Sequence, residues 1–288
     1  MTDVKVLDET GKHGYLQERV ESILDEVVPV VRETTRLELP ALVVFRIVAP
    51  ETWQTDSEAD LTGVVSRFRA RRPRWHAPAI GLVERMSLGR FHKVAPLLGG
   101  VLVMGATTAG PAEQSQTMLV PEALAHSGVF SSSYYLTQLV IHELVHHAQN
   151  LATLHREVWA EEKPAALLRA GSIKFVEEGH AYWADQEVTR RLFGEPKDIH
   201  TAPASIQSGV YQDAMKNKII VRMRRGPDIY TEGRKIVTAA IEAVGPSLFN
   251  SVWTDLSLLP TKSELRHPGR WAERLAAGTS STDQGAAA

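Results

Sequence analysis

Apolar residues in the first half of the chain recur first at helical and then at strand-like spacing. Residues 13–35 carry them three or four positions apart, which predicts a helix that Pro29 bends. Residues 41–48 (ALVVFRIV) are rich in β-branched and aromatic side chains and therefore predict a strand. The same reasoning predicts a second helix and two further strands, at residues 58–70, 100–106 and 117–120.

From residue 133 onward the spacing becomes helical. It predicts helices at residues 133–151, 173–193, 206–224, 229–244, 246–257 and 271–277. We therefore expect an α+β fold in which an N-terminal part with a small mixed sheet (1–132) packs on a mainly helical part (133–277), with a cleft between them. Residues 278–288 (GTSSTDQGAAA) predict a disordered tail. No Gly/Ser-rich linker separates the two parts, so we expect one compact unit.

Composition narrows the chemistry more than it narrows the fold. The 288 residues include no cysteine, which excludes disulfides, thiolate zinc fingers and cysteine nucleophiles. A transition metal would have to bind His and carboxylate side chains. The N-terminus lacks a basic segment followed by an apolar one, and the longest apolar run, residues 97–106, is too short to span a bilayer. We expect a cytoplasmic protein that does not bind membranes.

Charge gives no indication of a nucleic-acid partner. The formal net charge is -2, and a chain of this balance has no general attraction for a polyanion. Residues 67–75 (RFRARRPRW) do contain five arginines, but a short basic stretch is more often a solvated helix end. We therefore expect no nucleic-acid binding. The sequence makes no prediction of oligomeric state.

The helix predicted at 133–151 contains the motif HExxH. His142 and His146 are four residues apart, so both imidazoles lie on one helix face and can reach one metal ion. Glu143, beside the first histidine, can accept a proton from a water activated by that ion. The pattern is short and also occurs by chance, so the third ligand matters.

Catalytic zinc commonly takes two histidines and one glutamate. The next predicted helix contains FVEEGHAYWAD, in which Glu177 and Glu178 are both candidates because this helix is otherwise apolar on one side. A third histidine six residues after His146, typical of metzincins, is excluded because position 152 is alanine. The residues themselves leave the choice between the two glutamates open.

Together, HELVH and VEEGHAYW resemble the HExxH and NEGFA pair of gluzincin metallopeptidases, the class of aminopeptidase N. The resemblance implies a zincin-like fold, a Zn²⁺ cofactor held by His142, His146 and Glu178, and an inserted loop in the segment before the second helix. Residues 230–271 are also similar to the C-terminal part of actinobacterial zincin-like metallopeptidases.

YTEGRKIV, residues 230–237, is similar to the YxKGxxV segment of the same family. The resemblance implies that Tyr230 stabilises the oxyanion and that Gly233 permits close helix packing. A tyrosine buried at a helix start would fit the sequence equally well. The family's GAMEN glutamate, which grips a free amine, is lacking in the comparable MGATTAG, and this argues against an aminopeptidase.

The sequence therefore predicts a zinc-dependent hydrolase that cleaves a peptide or a small amide, with Glu143 as general base and Tyr230 as oxyanion donor. A metalloenzyme acting on a small metabolite and a non-catalytic zincin-like binding module are the alternatives. Asp185, seven residues after Glu178, is a candidate to orient a ligand histidine. His147 and His180 point away from the ligand face and are expected in the cleft or in packing.

Overall fold

The computed structural model describes residues 2–70, 77–108, 114–153, 172–196, 198–199, 202–223 and 228–283. The strands are β1 (Asp3–Asp8), β2 (Leu42–Ile47), β3 (Gly105–Thr108) and β4 (Gln116–Leu119). The helices are α1 (Gly14–Thr35), α2 (Pro50–Ala70), α3 (Ala77–Leu97), α4 (Pro121–Ser127), α5 (Ser133–Ala152), α6 (Ser172–Phe193), α7 (Gly209–Lys216), α8 (Lys218–Met223), α9 (Ile229–Phe249) and α10 (Pro268–Asp283).

The strands form a mixed four-stranded sheet in the order β1-β2-β4-β3. Strands β1, β2 and β4 are parallel, and β3 is an antiparallel strand at the edge beside β4. Parallel neighbours require a crossover, and α1 supplies it between β1 and β2. The buried side chains of α1 recur every three or four residues along its core-facing side: Leu16, Val20, Leu24, Val27 and Val31.

The sheet and the C-terminal helices share one hydrophobic core. Phe45 of β2 and Leu119 of β4 belong to the same buried cluster as Leu144 of α5 and, near the C-terminus, Trp253 and Trp271. Since one sheet face is covered by helices from the second half of the chain, the α+β fold with a small mixed sheet expected from the sequence is confirmed. Among the described residues, no helix is both long and apolar enough to cross a membrane.

The apolar run at residues 100–106 was expected to be one strand, and that expectation was wrong over most of its length. A π-helical turn spans Leu98–Leu102, and β3 begins only at Gly105. Gly99 lies in this turn, where an added Cβ would come 2.3 Å from the Trp53 ring. Apolar runs of this length fit strands and tight helical turns equally well, so tertiary packing decides between them.

Three elements were not predicted at all: β1, α3 and the short helix α4. Strand β1 lies at the sheet edge and buries only Val6, which leaves little apolar pattern to detect. Helix α3 contains Gly81, Gly89 and Pro96, residues that disfavour helices, although its position on α2 evidently outweighs them. Helix α2 also begins at Pro50, earlier than the predicted residue 58, with proline at a position where a helix tolerates it.

The C-terminal helices differ from the prediction mainly where the backbone is interrupted. Asn217 divides the predicted helix 206–224 into α7 and α8, and its side chain accepts a hydrogen bond from the Ile219 amide. Gly245 has φ +76°, which is not helical, so it interrupts α9 at the boundary predicted between helices 229–244 and 246–257. The second segment is shorter than predicted, because it is helical only to Phe249 and continues as a 3₁₀ turn to Trp253.

Helix α10 begins at Pro268 and extends to Asp283, past the predicted end at residue 277 and into the segment expected to be disordered. The last five residues, 284–288, lie outside the described residues. So do 71–76, which include the second half of the arginine-rich stretch, and 154–171, which hold most of the expected inserted loop and His155.

Candidate metal centre

Helix α5 carries the two histidines of HExxH on the side that faces α6. Ser132 caps the helix by accepting a hydrogen bond from the Tyr135 amide, and apolar residues such as Leu144 anchor the opposite side in the core. The rings of His142 and His146 meet edge to face, with centroids 4.9 Å apart. The four-residue spacing therefore brings the two imidazoles together, as the helix geometry requires.

The carboxylate of Glu178, on α6, closes this group. Its Oε2 lies 3.4 Å from Nε2 of His142 and 3.7 Å from Nε2 of His146. One ligand atom from each of the three side chains lies within 4.8 Å of the other two. Of the two glutamates that the residues left open, the structure brings Glu178 to the histidines, while the backbone carbonyl of Glu177 accepts a hydrogen bond from Gln149.

The Nδ1 atom of each histidine is engaged by a buried acceptor. Nδ1 of His142 lies 3.0 Å from Oδ2 of Asp185, and Nδ1 of His146 lies 2.8 Å from Oε1 of Gln149. Carboxylate and amide oxygens accept, so in the neutral imidazoles these contacts place the proton on Nδ1 and leave a lone pair on Nε2, toward Glu178. This donor set fits a zinc ion, which takes imidazole nitrogen and carboxylate oxygen.

Asp185 is itself held in place. Its Oδ1 accepts hydrogen bonds from the side-chain amides of Gln138 and Gln186, each at 3.2 Å. The other amide atom of Gln138 accepts from the Ile199 backbone N–H at 2.7 Å. The seven-residue spacing from Glu178 pointed to Asp185, and the structure brings it to His142.

Gln149 was not predicted to take part in the site. Its side chain is buried, and its amide nitrogen lies 2.9 Å from the Glu177 carbonyl and 3.1 Å from Nδ1 of His180. The available signal was its position three residues after His146, one turn along the same helix face. Only the packing of α6 shows that this face is buried.

The site is strongly polarised. Burial alone would lower the pKa of His142, but hydrogen bonds and charges from Asp185 and Glu178 outweigh burial and raise that pKa to about 10. Burial opposes ionisation of Glu178, yet the two imidazoles hold its pKa well below the usual range. Burial raises the pKa of Asp185 to about 6, so this carboxylate is still mostly ionised at neutral pH. The site favours a positive charge between its carboxylates.

Glu143 lies between the metal group and the edge strand. Its side chain is buried, and Oε2 accepts a hydrogen bond of 2.6 Å from the Thr107 hydroxyl. A Cβ added to Gly105 would come 3.0 Å from Oε1, so the strand passes very close to the carboxylate. Glu143 and His142 line a cavity of about 160 Å³ whose other walls are mainly apolar, formed by residues such as Leu102, Val103, Met104, Leu139 and Ile199.

Tyr230 lies in the first turn of α9, where Asp228 caps the helix by accepting a hydrogen bond from the Tyr230 amide at 3.1 Å. The tyrosine lines the same cavity as Glu143, and its ring centroid lies 6.0 Å from that of His142. Three residues further, Gly233 meets Gly179 of α6. A Cβ on Gly179 would lie 2.2 Å from the Gly233 carbonyl carbon, so the two backbones are in direct contact. The expected role of Gly233 in close helix packing agrees with this contact.

His147 and His180 are fully buried, and the ring of each packs against aromatic side chains. The His147 ring stacks on Phe45 with centroids 5.7 Å apart, and the His180 ring stacks on Phe249 at 5.4 Å. Burial lowers the pKa of each to about 3, so both are neutral. They are packing residues, one of the two expectations held for them.

Residues 178–272 match the family model described as zincin-like metallopeptidase. The match covers about one third of the chain; it begins at Glu178 and includes Tyr230, but it leaves out the HExxH segment. No curated protein matches the chain.

Among solved structures, the chain resembles a candidate hydrolase with a novel fold from Chloroflexus aurantiacus, with a TM-score of 0.54. The two chains are 15% identical, and the alignment covers 92% of this chain and 91% of the other. At that identity the likeness shows a shared fold. The zincin-like resemblance drawn from the sequence is therefore confirmed over residues 178–272, and together with the His-His-Glu group it supports a zinc hydrolase in general.

Proposed function

We propose that this protein is a zinc-dependent metallopeptidase of gluzincin type. The observation that carries the proposal is the convergence of His142, His146 and Glu178 from two helices within 4.8 Å, with Glu143 lining the adjacent cavity. A metal-binding module without catalysis has no need of a buried carboxylate beside its first ligand. Glu143 therefore favours an enzyme over a binding module.

In this proposal His142, His146 and Glu178 hold the zinc ion. When bound, the ion supplies Lewis acidity, which lowers the pKa of water and polarises a substrate carbonyl. The Glu143 carboxylate takes a proton from the water whose oxygen adds to the carbonyl carbon. It then gives that proton to the amide nitrogen as the C–N bond breaks, so that a carboxylate and an amine leave.

Tyr230 is proposed to donate a hydrogen bond to the carbonyl oxygen as that oxygen gains negative charge, which typically contributes a few kcal/mol. Its place on the cavity wall with His142 and Glu143 supports this role. The family resemblance at YTEGRKIV supports it as well.

The edge strand favours a peptide over a small metabolite as substrate. β3 pairs with β4 on one side, and no strand of the described residues pairs with its other side. An extended peptide can add to such an edge through backbone hydrogen bonds. The cavity of about 160 Å³ accommodates one substrate side chain rather than a whole metabolite, since pockets for such ligands run to roughly 300–1,000 Å³.

The test combines metal analysis with cleavage of a peptide library. Purified protein should contain one zinc per chain, and library peptides should be cleaved by the zinc-loaded protein and not after chelation. Re-addition of zinc should restore cleavage, which controls for irreversible damage by the chelator. Zinc binding without any zinc-dependent cleavage would contradict the peptidase proposal and favour the metabolite or binding-module alternatives.

A further inference from the structure

The two oxygens of the Glu143 carboxylate have different neighbours on the edge strand β3. Gly105 and Thr107 are two residues apart on β3, so they share the sheet face that contacts α5. The Thr107 hydroxyl binds Oε2 at 2.6 Å, whereas the residue beside Oε1 is Gly105, which has no side chain. One oxygen is thus held by the strand while the other keeps the space that a side chain would have filled.

Thr107 is the first member of a hydrogen-bonded chain that runs away from the site. Thr117 is its directly opposed partner on β4, and the two hydroxyl oxygens lie 2.7 Å apart. The Thr117 hydroxyl in turn lies 2.9 Å from Nε2 of His147. Thr117 and His147 are both fully buried, so the inner end of this hydrogen-bonded chain is shielded from water, while Thr107 is partly buried.

The direction of every donor in this chain follows from its first member. In the proposed role of general base, Glu143 is a carboxylate, which only accepts hydrogen bonds, so Thr107 donates its single hydroxyl proton to Oε2. Thr107 then accepts from Thr117, and Thr117 accepts from Nε2–H of His147. His147 is therefore the Nε2–H tautomer, and its Nδ1 is the atom left with a bare lone pair. Consistently, that Nδ1 is buried without a hydrogen-bond partner among the described residues.

We propose that Thr107 is a positioning residue for Glu143. Its hydrogen bond occupies Oε2 and leaves Oε1 as the oxygen that takes up the transferred proton. Thr117 and His147 fix the direction in which the Thr107 hydroxyl donates. The inference rests on the proposed function, because it concerns how the proposed base is oriented. Thr107 itself makes no contact with reacting atoms in this scheme.

The first test compares Thr107→Val with Thr107→Ser in the zinc-loaded protein, using the library peptide that the wild type cleaves fastest. Valine has nearly the shape of threonine but no hydroxyl, and serine keeps the hydroxyl. For Thr107→Val we expect kcat to fall about 10- to 100-fold through misorientation of the base, with KM changed less than about twofold. Thr107→Ser should recover most of kcat. Equal kcat in wild type and Thr107→Val would overturn the proposal, as would a serine variant as slow as the valine one.

The second test examines the hydrogen-bonded chain from Glu143 to His147 and needs no substrate. Nitrogen-15 NMR of the His147 ring distinguishes Nε2–H from Nδ1–H, in metal-free and zinc-loaded protein alike. We expect the Nε2–H tautomer in the wild type and in Thr107→Ser. An Nδ1–H tautomer in the wild type would contradict the donor directions inferred for the hydrogen-bonded chain. A wild type that cleaves no peptide would instead contradict the proposed function. The two failures are thus distinguishable.

Discussion

The carboxylate of Glu143 is the side chain on which the proposed reaction depends most directly. Glu143→Gln keeps the shape of the residue and removes its ability to accept a proton. We expect zinc to remain bound and kcat to fall by on the order of 10²–10⁴, the usual contribution of a general base. Zinc content and peptide cleavage are measured together, with Glu26→Gln, on the exposed side of α1, as the control.

Adjacent glutamates on α6 offer a matched pair for the metal site. Glu178→Gln weakens one of three ligands, so we expect zinc affinity to fall more than about 100-fold, since losing even a hydrogen-bonding partner of a ligand costs about 10- to 100-fold. Glu177→Gln keeps all three ligand side chains and should bind zinc like the wild type. Competition with a fluorescent zinc chelator measures both variants. Equal affinities for the two would remove Glu178 from the ligand set.

Zinc binding should also depend on pH in a definite direction. The pKa of His142 is about 10 in the metal-free protein, so this ring is protonated at neutral pH and must lose its proton to bind a metal. Affinity should therefore rise with pH, about tenfold per unit for one displaced proton, and zinc binding should release protons. Calorimetry in buffers of different ionisation enthalpy measures that release. A zinc affinity that does not change between about pH 6 and about 9 would contradict this account.

Site residues could be predicted where their position depends on contacts within one helix, and could not where it depends on packing between helices. The HExxH spacing places His142 and His146 together through the geometry of one helix, and the family resemblance selected Glu178 over its neighbour. Asp185 was expected from its spacing along α6. Gln149 was not, because its burial depends on the packing of α6 against the end of α5, which no local pattern in α5 encodes.

At the level of elements, the contact between Gly179 and Gly233 ties α6 to α9. A methyl group on Gly179 would overlap the Gly233 backbone, which cannot rotate away as a side chain could. We expect Gly179→Ala to lower the free energy of unfolding by at least about 2 kcal/mol, the scale of overpacking in a dense core. Denaturant unfolding followed by circular dichroism measures it.

Gly89→Ala is the control for that substitution, since Gly89 is also helical and an added Cβ there meets no atom within 4 Å. This variant should be neutral or stabilised by about 0.5–1 kcal/mol, because alanine is the better helix former. If both variants lost the same stability, the loss would reflect alanine in place of glycine in general, and the close contact between α6 and α9 would carry no special weight.

The elements that were predicted best are those with a long apolar pattern. Helices α5 and α6 follow their predicted ranges closely because each buries a continuous face. β3 was placed too early, since an apolar stretch without alternation does not reveal where a helical turn ends and a strand begins. β1 and α3 lacked the pattern altogether, β1 through exposure at the edge and α3 through its glycines and proline.

On the scale of the whole molecule, the ligands come from two helices that also belong to the shared core. Zinc that binds the folded state and not the unfolded chain should stabilise the protein, by about 2.7 kcal/mol at a free zinc concentration of 100 times Kd. Thermal unfolding with zinc and with chelator measures the shift. Glu178→Gln should show a smaller shift, and an unchanged melting temperature in the wild type would contradict a site built from both helices.

The glycine contact between α6 and α9 has a further consequence for how this enzyme could diversify. Glu178 directly precedes one glycine, and Tyr230 lies one helical turn before the other. The contact between the two glycines therefore fixes the position of Glu178 relative to Tyr230. Sliding either helix would separate these backbones and displace Glu178 and Tyr230 relative to each other. Changes in substrate range are therefore easier to introduce through the cavity wall formed by Leu102, Val103 and Ile199. These side chains can vary in size while the contact between the two glycines stays fixed.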